Sequence, residues 1–317
     1  MKTLSIAAAL IGAVAATPAF ACASCGCTLT SDWLSQGLVA QPGTTAGLRY
    51  DYVPQTQLRT EHRTVSDAEQ ALPADREIER YTENHYVTAT LDRQFDSDWG
   101  VDVAVPFTSR PHGTVAEGDT GESFSRTEGL GDVRITARWQ GLKTKGCVTG
   151  LQVGFIVPTG AFHQTFRAGP AKGEFVDRGL QSGTGVFQAT LGYYMFGKLT
   201  KTLDYILQAQ GQLPLDSRDL YKPGAVGQVS AGLHYTQWRG ITPQLEIGFH
   251  ASAKDSGLNS DRANSGGEQV YVSPGLVASL GRRVSAFGYV QLPLYQRVNG
   301  YQLAPRYTLS TGLQLRL

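Results

Sequence analysis

The sequence predicts an all-β chain: a transmembrane antiparallel up-and-down β-barrel of about twelve strands, with both termini periplasmic. Three observations predict it. The N-terminus reads as an export signal, the remainder alternates apolar and polar residues with period 2, and the connections alternate between short and long. Composition sets the frame. With 28 Lys+Arg against 27 Asp+Glu the chain lacks the basic face a nucleic-acid binder needs, so no nucleic-acid partner is expected. Mean hydropathy lies slightly below zero. Beyond the N-terminus no apolar run approaches the roughly 20 residues of a membrane-spanning helix. The 37 Gly and 14 Tyr beside 2 Met favour β structure over helix.

Residues 1–21 are read as a signal peptide. Lys2 supplies the positive start, Leu4 to Ala16 the apolar run, and Ala19-Phe20-Ala21 the small residues before a cleavage at Cys22. Export delivers the chain to an oxidising compartment. Residues 22–45 form a periplasmic N-terminal segment, in which Ser31 or Asp32 is placed to cap a short helix from Thr30 to Leu38. The barrel is assigned to 46–317.

Twelve alternating segments follow, at 46–54, 84–95, 99–107, 131–140, 147–157, 185–196, 203–213, 227–238, 241–251, 270–280, 284–295 and 306–317. In the third, Trp99, Val101, Val103, Val105 and Phe107 share one face and Gly100, Asp102 and Ala104 the other. In the fifth, Leu151, Val153, Phe155 and Val157 alternate with Gly150, Gln152 and Gly154. Successive strand side chains point to opposite faces, and tilted strands of about 9–11 residues cross a bilayer. The connections at 96–98, 141–146, 197–202, 239–240 and 281–283 are short. Those at 55–83, 108–130, 158–184, 214–226, 252–269 and 296–305 are long and mostly polar. A soluble sandwich also shows period 2 but has no reason to sort its loops this way; a bacterial outer-membrane barrel does. Outer-membrane lipid and the general outer-membrane assembly machinery are the expected partners, and a monomer suffices.

Parity points Arg49, Asp51, Asp102, Arg134, Arg138, Asp204, His234, Glu246, His250 and Arg306 into the lumen. Both signs of charge occur, so the lumen is either a narrow solute path or a salt-bridged, closed interior. His234, Glu246 and His250 share the inner face of one hairpin, a pattern that serves a divalent metal or a hydrogen-bonded contact. Cys22, Cys25 and Cys27 form a C-x-x-C-x-C cluster, and Cys147 opens the fifth strand at the periplasmic side. Disulfides are the first reading: four cysteines allow two bridges, Cys147 is a candidate partner by its place at the periplasmic side, and the sequence leaves the connectivity open. A thiolate site for Cu or Zn, or a thiol-exchange role, is the second, and lipidation of Cys22 the third. No catalytic constellation is expected. His250-Ala251-Ser252 has the spacing of an outer-membrane phospholipase pair, but both side chains face inward and no Asn is placed to orient the His.

Short Gly-rich motifs recur at the loop-to-strand junctions: Gly129-Leu130-Gly131-Asp132, Pro158-Thr159-Gly160, Leu180-Gln181-Ser182-Gly183-Thr184-Gly185, Asn264-Ser265-Gly266-Gly267, Ser273-Pro274-Gly275-Leu276, Pro293-Leu294-Tyr295 and Val298-Asn299-Gly300. In this order, from about residue 45 onward, they resemble the outer-membrane barrel family named for the meta-pathway of phenol degradation. The resemblance implies a channel or transporter without naming a solute. The motifs themselves suit bends and close backbone approach. The expected activity is passive passage of a small-molecule solute through a polar lumen, hydrophobic or aromatic compounds and metal-related solutes being the two candidate classes. The alternative is a closed structural or binding barrel with a periplasmic Cys-cluster metal or redox site.

Overall fold

The structure, a computed structural model, describes residues 42–317. The signal peptide and the Cys22, Cys25 and Cys27 cluster lie outside the described residues. Fourteen strands form one antiparallel sheet: β1 (Gly43–Glu61), β2 (Arg63–Thr64), β3 (Ile78–Gln94), β4 (Trp99–Val115), β5 (Ser123–Leu130), β6 (Val133–Thr144), β7 (Cys147–Val157), β8 (Gln188–Lys198), β9 (Leu203–Pro214), β10 (Val226–Tyr235), β11 (Ile241–Ser252), β12 (Gly267–Ser279), β13 (Val284–Pro305) and β14 (Thr308–Arg316). The sheet closes where β14 pairs β1, from Thr45↔Arg316 to Tyr52↔Leu309. β2 is a flap on the tip of β1. β5 pairs the far half of β4 and β6 its near half, so the two make one stave broken at Gly131-Asp132. Twelve staves result, in a closed barrel.

The short connections, 95–98, 145–146, 199–202, 236–240 and 280–283, all lie at the end where the described chain starts and stops. There Leu317 N donates to Thr44 O and Arg316 Nη2 to Pro42 O. The other end carries the segments 62–77, 158–187, 215–225 and 253–266. The predicted loops at 55–83, 108–130 and 296–305 are smaller than expected, because their flanks are strand. β1 continues to Glu61, β3 starts at Ile78, and β4 and β5 extend as a hairpin to Val115 and Ser123. The 296–305 stretch is strand with a reversal at Asn299-Gly300: Gly267 pairs Val298 on the way out, and Tyr301 to Ala304 return beside Thr60 to Gln57. Gly300 takes φ +58°, and Asn264 Oδ1 stands 2.1 Å from where its Cβ would be, so a larger residue fits neither the backbone nor the space.

The barrel inverts the polarity of a soluble protein. Along β7, Gly150, Gln152, Gly154 and Ile156 are buried while Leu151, Val153 and Phe155 are exposed. The outward faces of the other staves repeat this with Leu48, Leu91, Ile135, Leu191, Leu207, Leu245, Leu276 and Leu313. Aromatic pairs stand near both rims: Trp99 and Trp139 have ring centroids 6.5 Å apart at the terminal end, Phe155 and Phe187 5.9 Å at the loop end. Buried apolar clusters are small. One at the loop end holds Leu58, Val65, Ile78 and Leu303, another there Phe166, Val176 and Leu180, and two lie on the inner wall of the staves, Tyr194 with Ile206 and Val277 with Phe287 and Tyr289. The first fixes the 62–77 segment, whose surface carries a charge clamp. Arg63 donates two hydrogen bonds of 2.7 Å to Glu69, and Ser66 adds N–H and O–H donors. The Arg63 hydrogen bond, ahead of those from Ser66, holds the Glu69 carboxyl well below the usual carboxylate range.

Val153 lies at the middle of β7 on the outward face. Val153→Arg is expected to lower the stability of the barrel refolded in lipid vesicles by about 2–4 kcal/mol in a denaturant titration; an unchanged midpoint would contradict an outward face in contact with hydrocarbon. For Glu69 the sign is that of a depressed acid: its clamp contributes above the unfolded carboxyl range and is lost as pH falls below it. The Glu69 carboxyl should stay ionised at pH values where free glutamate is protonated, as read by NMR titration, and Arg63→Gln should raise its midpoint toward the free value, the Ser66 donors retaining part of the depression.

Candidate functional site in the barrel lumen

Among the described residues, three cavities lie along the inside of the barrel. At the terminal end a space of 200 Å³ is lined by Thr45, Asp92, Gln94, Arg282, Arg283 and Arg316, among others. Above it a space of 110 Å³ is bounded by Arg49, Asp51, Asp102, Arg134, Arg138 and Gln152. Toward the loop end a third, of 200 Å³, shares Pro106, Asp132 and Arg134 with the second and is roofed by residues of the 158–187, 215–225 and 253–266 segments.

Inward charges are paired both along a stave and across one: Arg49 and Asp51 lie two residues apart on β1, and Arg138 of β6 reaches past β4 to Asp92 of β3. Arg49 donates from Nε to Asp51 Oδ1 at 2.8 Å and from Nη2 to Tyr289 Oη at 2.5 Å and Ser310 Oγ at 3.3 Å. Ser310 Oγ in turn donates to Asp51 Oδ1 at 2.5 Å. Arg138, 1% exposed, forms an ion pair with Asp92 and donates to Gln94 Oε1 at 3.4 Å. Asp92 and Gln94 line the lowest cavity and Arg138 the middle one, so this pair is the partition between them. Removing one partner of a buried pair leaves an uncompensated charge and costs about 3–5 kcal/mol, whereas the intact pair contributes little net stability. Such pairs therefore hold side-chain positions across the lumen.

The residues singled out by parity divide in space. Arg49, Asp51, Asp102, Arg134 and Arg138 bound one cavity. His234 is buried and paired in register with Asp204 on one side and Gln244 on the other. Glu246 sits opposite Gly232 rather than His234, and His250 opposite Gln228 and Gln269. No group of three His, Cys, Asp or Glu side chains is arranged to hold a metal among the described residues. Arg306 is exposed, in the break between β13 and β14. Cys147 opens β7 opposite Thr144 and Gly197, with Thr149 Oγ1 at 4.0 Å from its sulfur, and is bonded to no described cysteine. Asp92 and Gln94 were open to the same parity argument, since they alternate with Leu91 and Arg93. Arg110 and Arg178, which line the loop-end cavity, were not: one lies on a strand extension and the other in a loop.

The Gly-rich motifs converge. Asp132 Oδ1 accepts from Gly160 N at 3.0 Å, and its Oδ2 from Thr184 N at 2.8 Å and Thr184 Oγ1 at 2.7 Å. Thr159 Oγ1 donates to Gly131 O and accepts from Val133 N. Gly160 and Gly183 touch so closely that a Cβ on either would come within 2.6 Å of the other's Cα. One carboxylate thus clasps both ends of the 158–187 loop. Its Arg178–Leu180 turn is then pinned to the inner wall: Arg110 Nη1 donates to Gly179 O at 2.9 Å and Gln181 O at 3.1 Å, and Thr127 Oγ1 to Leu180 O at 2.5 Å. Burial lowers the Arg178 guanidinium from its ordinary value, with Tyr221 and Asp219 acting in the opposite direction. A second clasp forms at Asp255, which accepts from Gly224 N at 2.7 Å and Tyr221 Oη at 3.0 Å. Asn264 accepts from Tyr301 N, and Asn299 Nδ2 donates to Ser265 O, tying the Asn264-Ser265-Gly266-Gly267 motif to the Asn299-Gly300 reversal.

No family model and no curated protein sequence matches the chain. Among solved structures it is similar to the COG4313 outer membrane channel from Pseudomonas putida F1, with a TM-score of 0.65 at 13% identity over 88% of this chain and 97% of that one. Weaker likenesses are a Pseudomonas aeruginosa FadL homologue, TM-score 0.47 at 9% identity over 86% and 90% of the two chains, and the Ralstonia pickettii toluene transporter TbuX, 0.46 at 10% over 89% and 91%. At 13% identity what is shared with the first is the barrel fold.

Asp132→Ala removes the acceptor for three hydrogen bonds, each worth about 1.5–3 kcal/mol when the acceptor is charged. Trypsin is expected to cleave the folded variant after Arg178, a bond the wild-type clasp withholds; an identical digestion pattern would show that the clasp does not hold the loop.

Proposed function

We propose that this protein is a bacterial outer-membrane channel that passes small solutes down their gradient, with the loop-bearing end outside the cell and both termini in the periplasm. The observation that carries the reading is the series of three cavities, lined in good part by charged and hydrogen-bonding side chains, inside a closed barrel whose outer face is apolar. An apolar band around a closed, hydrogen-bonded sheet fits a bilayer, and short turns on the periplasmic side with larger loops outside is the ordinary arrangement of such barrels. The similarity to an outer membrane channel at TM-score 0.65 supports the same architecture.

Of the solute classes the sequence raised, the lining favours compounds that carry hydrogen-bonding groups. Gln152, Gln188, Gln208, Gln212 and Gln269 are buried on the inner face, and Thr136, Thr190 and Ser230 join them. An unfunctionalised hydrocarbon passing along this wall would displace its water without replacing the hydrogen bonds. Aromatic compounds bearing a polar or ionised substituent fit this wall. A metal or redox role for the Cys22, Cys25 and Cys27 cluster is a separate reading that concerns the periplasmic segment.

Planar-bilayer recording of the refolded mature protein tests the proposal. Discrete conductance steps are expected, and Arg138→Ala, which opens the partition between the lower two cavities, should enlarge them. A folded barrel without steps at any voltage would sink the channel reading in favour of a closed binding barrel.

A further inference from the structure

Four consecutive short connections at the terminal end share a composition. The stretches 142–147, 198–203, 235–241 and 279–284 hold cations and no carboxylate. Lys145, Lys201, Arg239 and the pair Arg282-Arg283 stand at their tips, all exposed. Among the described residues none of these five side chains takes part in an ion pair or a hydrogen bond. Lys198 is set apart, since it lies in register with Asp204. The remaining connection, 95–98, differs: it carries Asp96 and Asp98, and Lys143 Nζ donates to Asp98 Oδ1 at 2.5 Å, which spends that cation. The loop end also pairs many of its cations, Arg63 with Glu69, Arg126 and Arg167 with Glu128, and Arg297 with Glu61.

Each of the four stretches also exposes an apolar side chain just ahead of its cation. Leu142, Leu199, Trp238 and Leu280 are between 59% and 63% exposed, where staves β6, β8, β10 and β12 run out. The apolar group thus leaves the edge of the apolar band and the cation follows beneath it. Backbone bonds join the turns into one arc: Lys198 N donates to Gly146 O at 3.0 Å, Thr236 N to Thr202 O at 2.9 Å and Ser279 N to Gly240 O at 2.8 Å. Neighbouring turns lie two staves, roughly 10 Å, apart. An apolar contact with a cation below it repeats the order of groups in a phospholipid, acyl chain first and phosphate next. With no carboxylate in the arc, an anionic head group is favoured over a zwitterion, whose ammonium would meet like charge.

We propose that this arc is a docking surface for anionic phosphoglycerolipid of the leaflet that faces the periplasm. Lys145, Lys201 and Arg239 are the phosphate contacts, and Leu142, Leu199 and Trp238 lie beside the acyl chains. Arg282 and Arg283 also border the terminal-end cavity, so their turn stands between the lipid and the mouth. The inference rests on the membrane placement given above and adds a lipid partner on one side of the barrel, from β6 round to β13.

The test is native mass spectrometry of the detergent-solubilised mature chain titrated with dioleoyl phosphatidylglycerol, dioleoyl phosphatidylcholine and glycerol phosphate. Lys145→Gln/Lys201→Gln/Arg239→Gln is compared with Lys172→Gln/Lys254→Gln/Arg262→Gln, which removes the same charge from exposed positions at the loop end. Folding of both is checked by heat-modifiable migration on a gel. The wild type should hold phosphatidylglycerol about tenfold more tightly than phosphatidylcholine, and the turn variant should lose most of that preference. The loop-end variant should keep it. Phosphatidylcholine binding as tightly as phosphatidylglycerol would overturn the proposal, as would an unchanged preference in the folded turn variant or an equal loss in the loop-end variant. Glycerol phosphate binding as tightly as the lipid would overturn it too, marking a site for free anions instead. Failure is separable from failure of the channel reading. A barrel that conducts without a lipid preference loses only this surface, and one that selects phosphatidylglycerol yet gives no steps loses only the conduction.

Discussion

Closure of the sheet is the constraint on which the rest of the structure depends. A strand edge left open in hydrocarbon exposes a row of unpaired amides and carbonyls, and only the β14–β1 ladder removes it. Once the barrel is closed, each stave has an outside and an inside with opposite solvents. Leu, Val and aromatic side chains gain nothing by turning inward, and Gln, Thr, Arg and Asp have nowhere else to go. The outcome is a largely polar core in which stability comes from satisfied pairs more than from apolar packing; the larger apolar clusters lie where loops fold over the mouth, and only the small groups of Tyr194 with Ile206 and Val277 with Phe287 and Tyr289 line the interior.

That polar core is organised by two kinds of contact. Across the middle, Arg49 with Asp51 and Arg138 with Asp92 hold long side chains at fixed positions over the lumen. At the loop end Asp132 and Asp255 do something different, collecting backbone N–H groups from chain segments that would otherwise be free to fray. Both kinds place the charge where it is compensated. The exceptions are then conspicuous, and the cations of the terminal-end turns are the clearest of them.

Much of the barrel was legible in the sequence because the bilayer writes its own period. Trp99 to Phe107 and Leu151 to Val157 alternate since each second residue meets lipid, and the twelve segments read from that alternation correspond to the twelve staves. Beyond the band the outer face meets water instead of lipid and the inner face is covered by loops, so Gln55 to Glu61, Ile78 to Glu83 and Ser123 to Leu130 show no apolar outer stripe and read as loop although they are strand. Inward charges on regular strands followed from parity. Arg306 did not keep to it, because the strand is interrupted just there and parity counts only through unbroken pleat. The loop arginine Arg178 was invisible for a deeper reason: its position depends on Asp132, Gly160 and Thr184 meeting in space, which no local pattern encodes. The Gly-rich motifs did mark that junction, but only as places where backbone comes close, without saying to what.

The clasp at Asp132 also separates the barrel's evolutionary fate from that of its loop. Gly160 and Thr184 are brought to one carboxylate before the intervening chain leaves the rim, so everything between them is a closed appendage whose ends are already joined. Lengthening such an appendage costs only the slow logarithmic growth of loop entropy, about 0.6 kcal/mol for each doubling. The turn from Gly169 to Gly173 can therefore accept insertions while the staves beneath keep their register. Surface identity and scaffold can drift at different rates in the same chain.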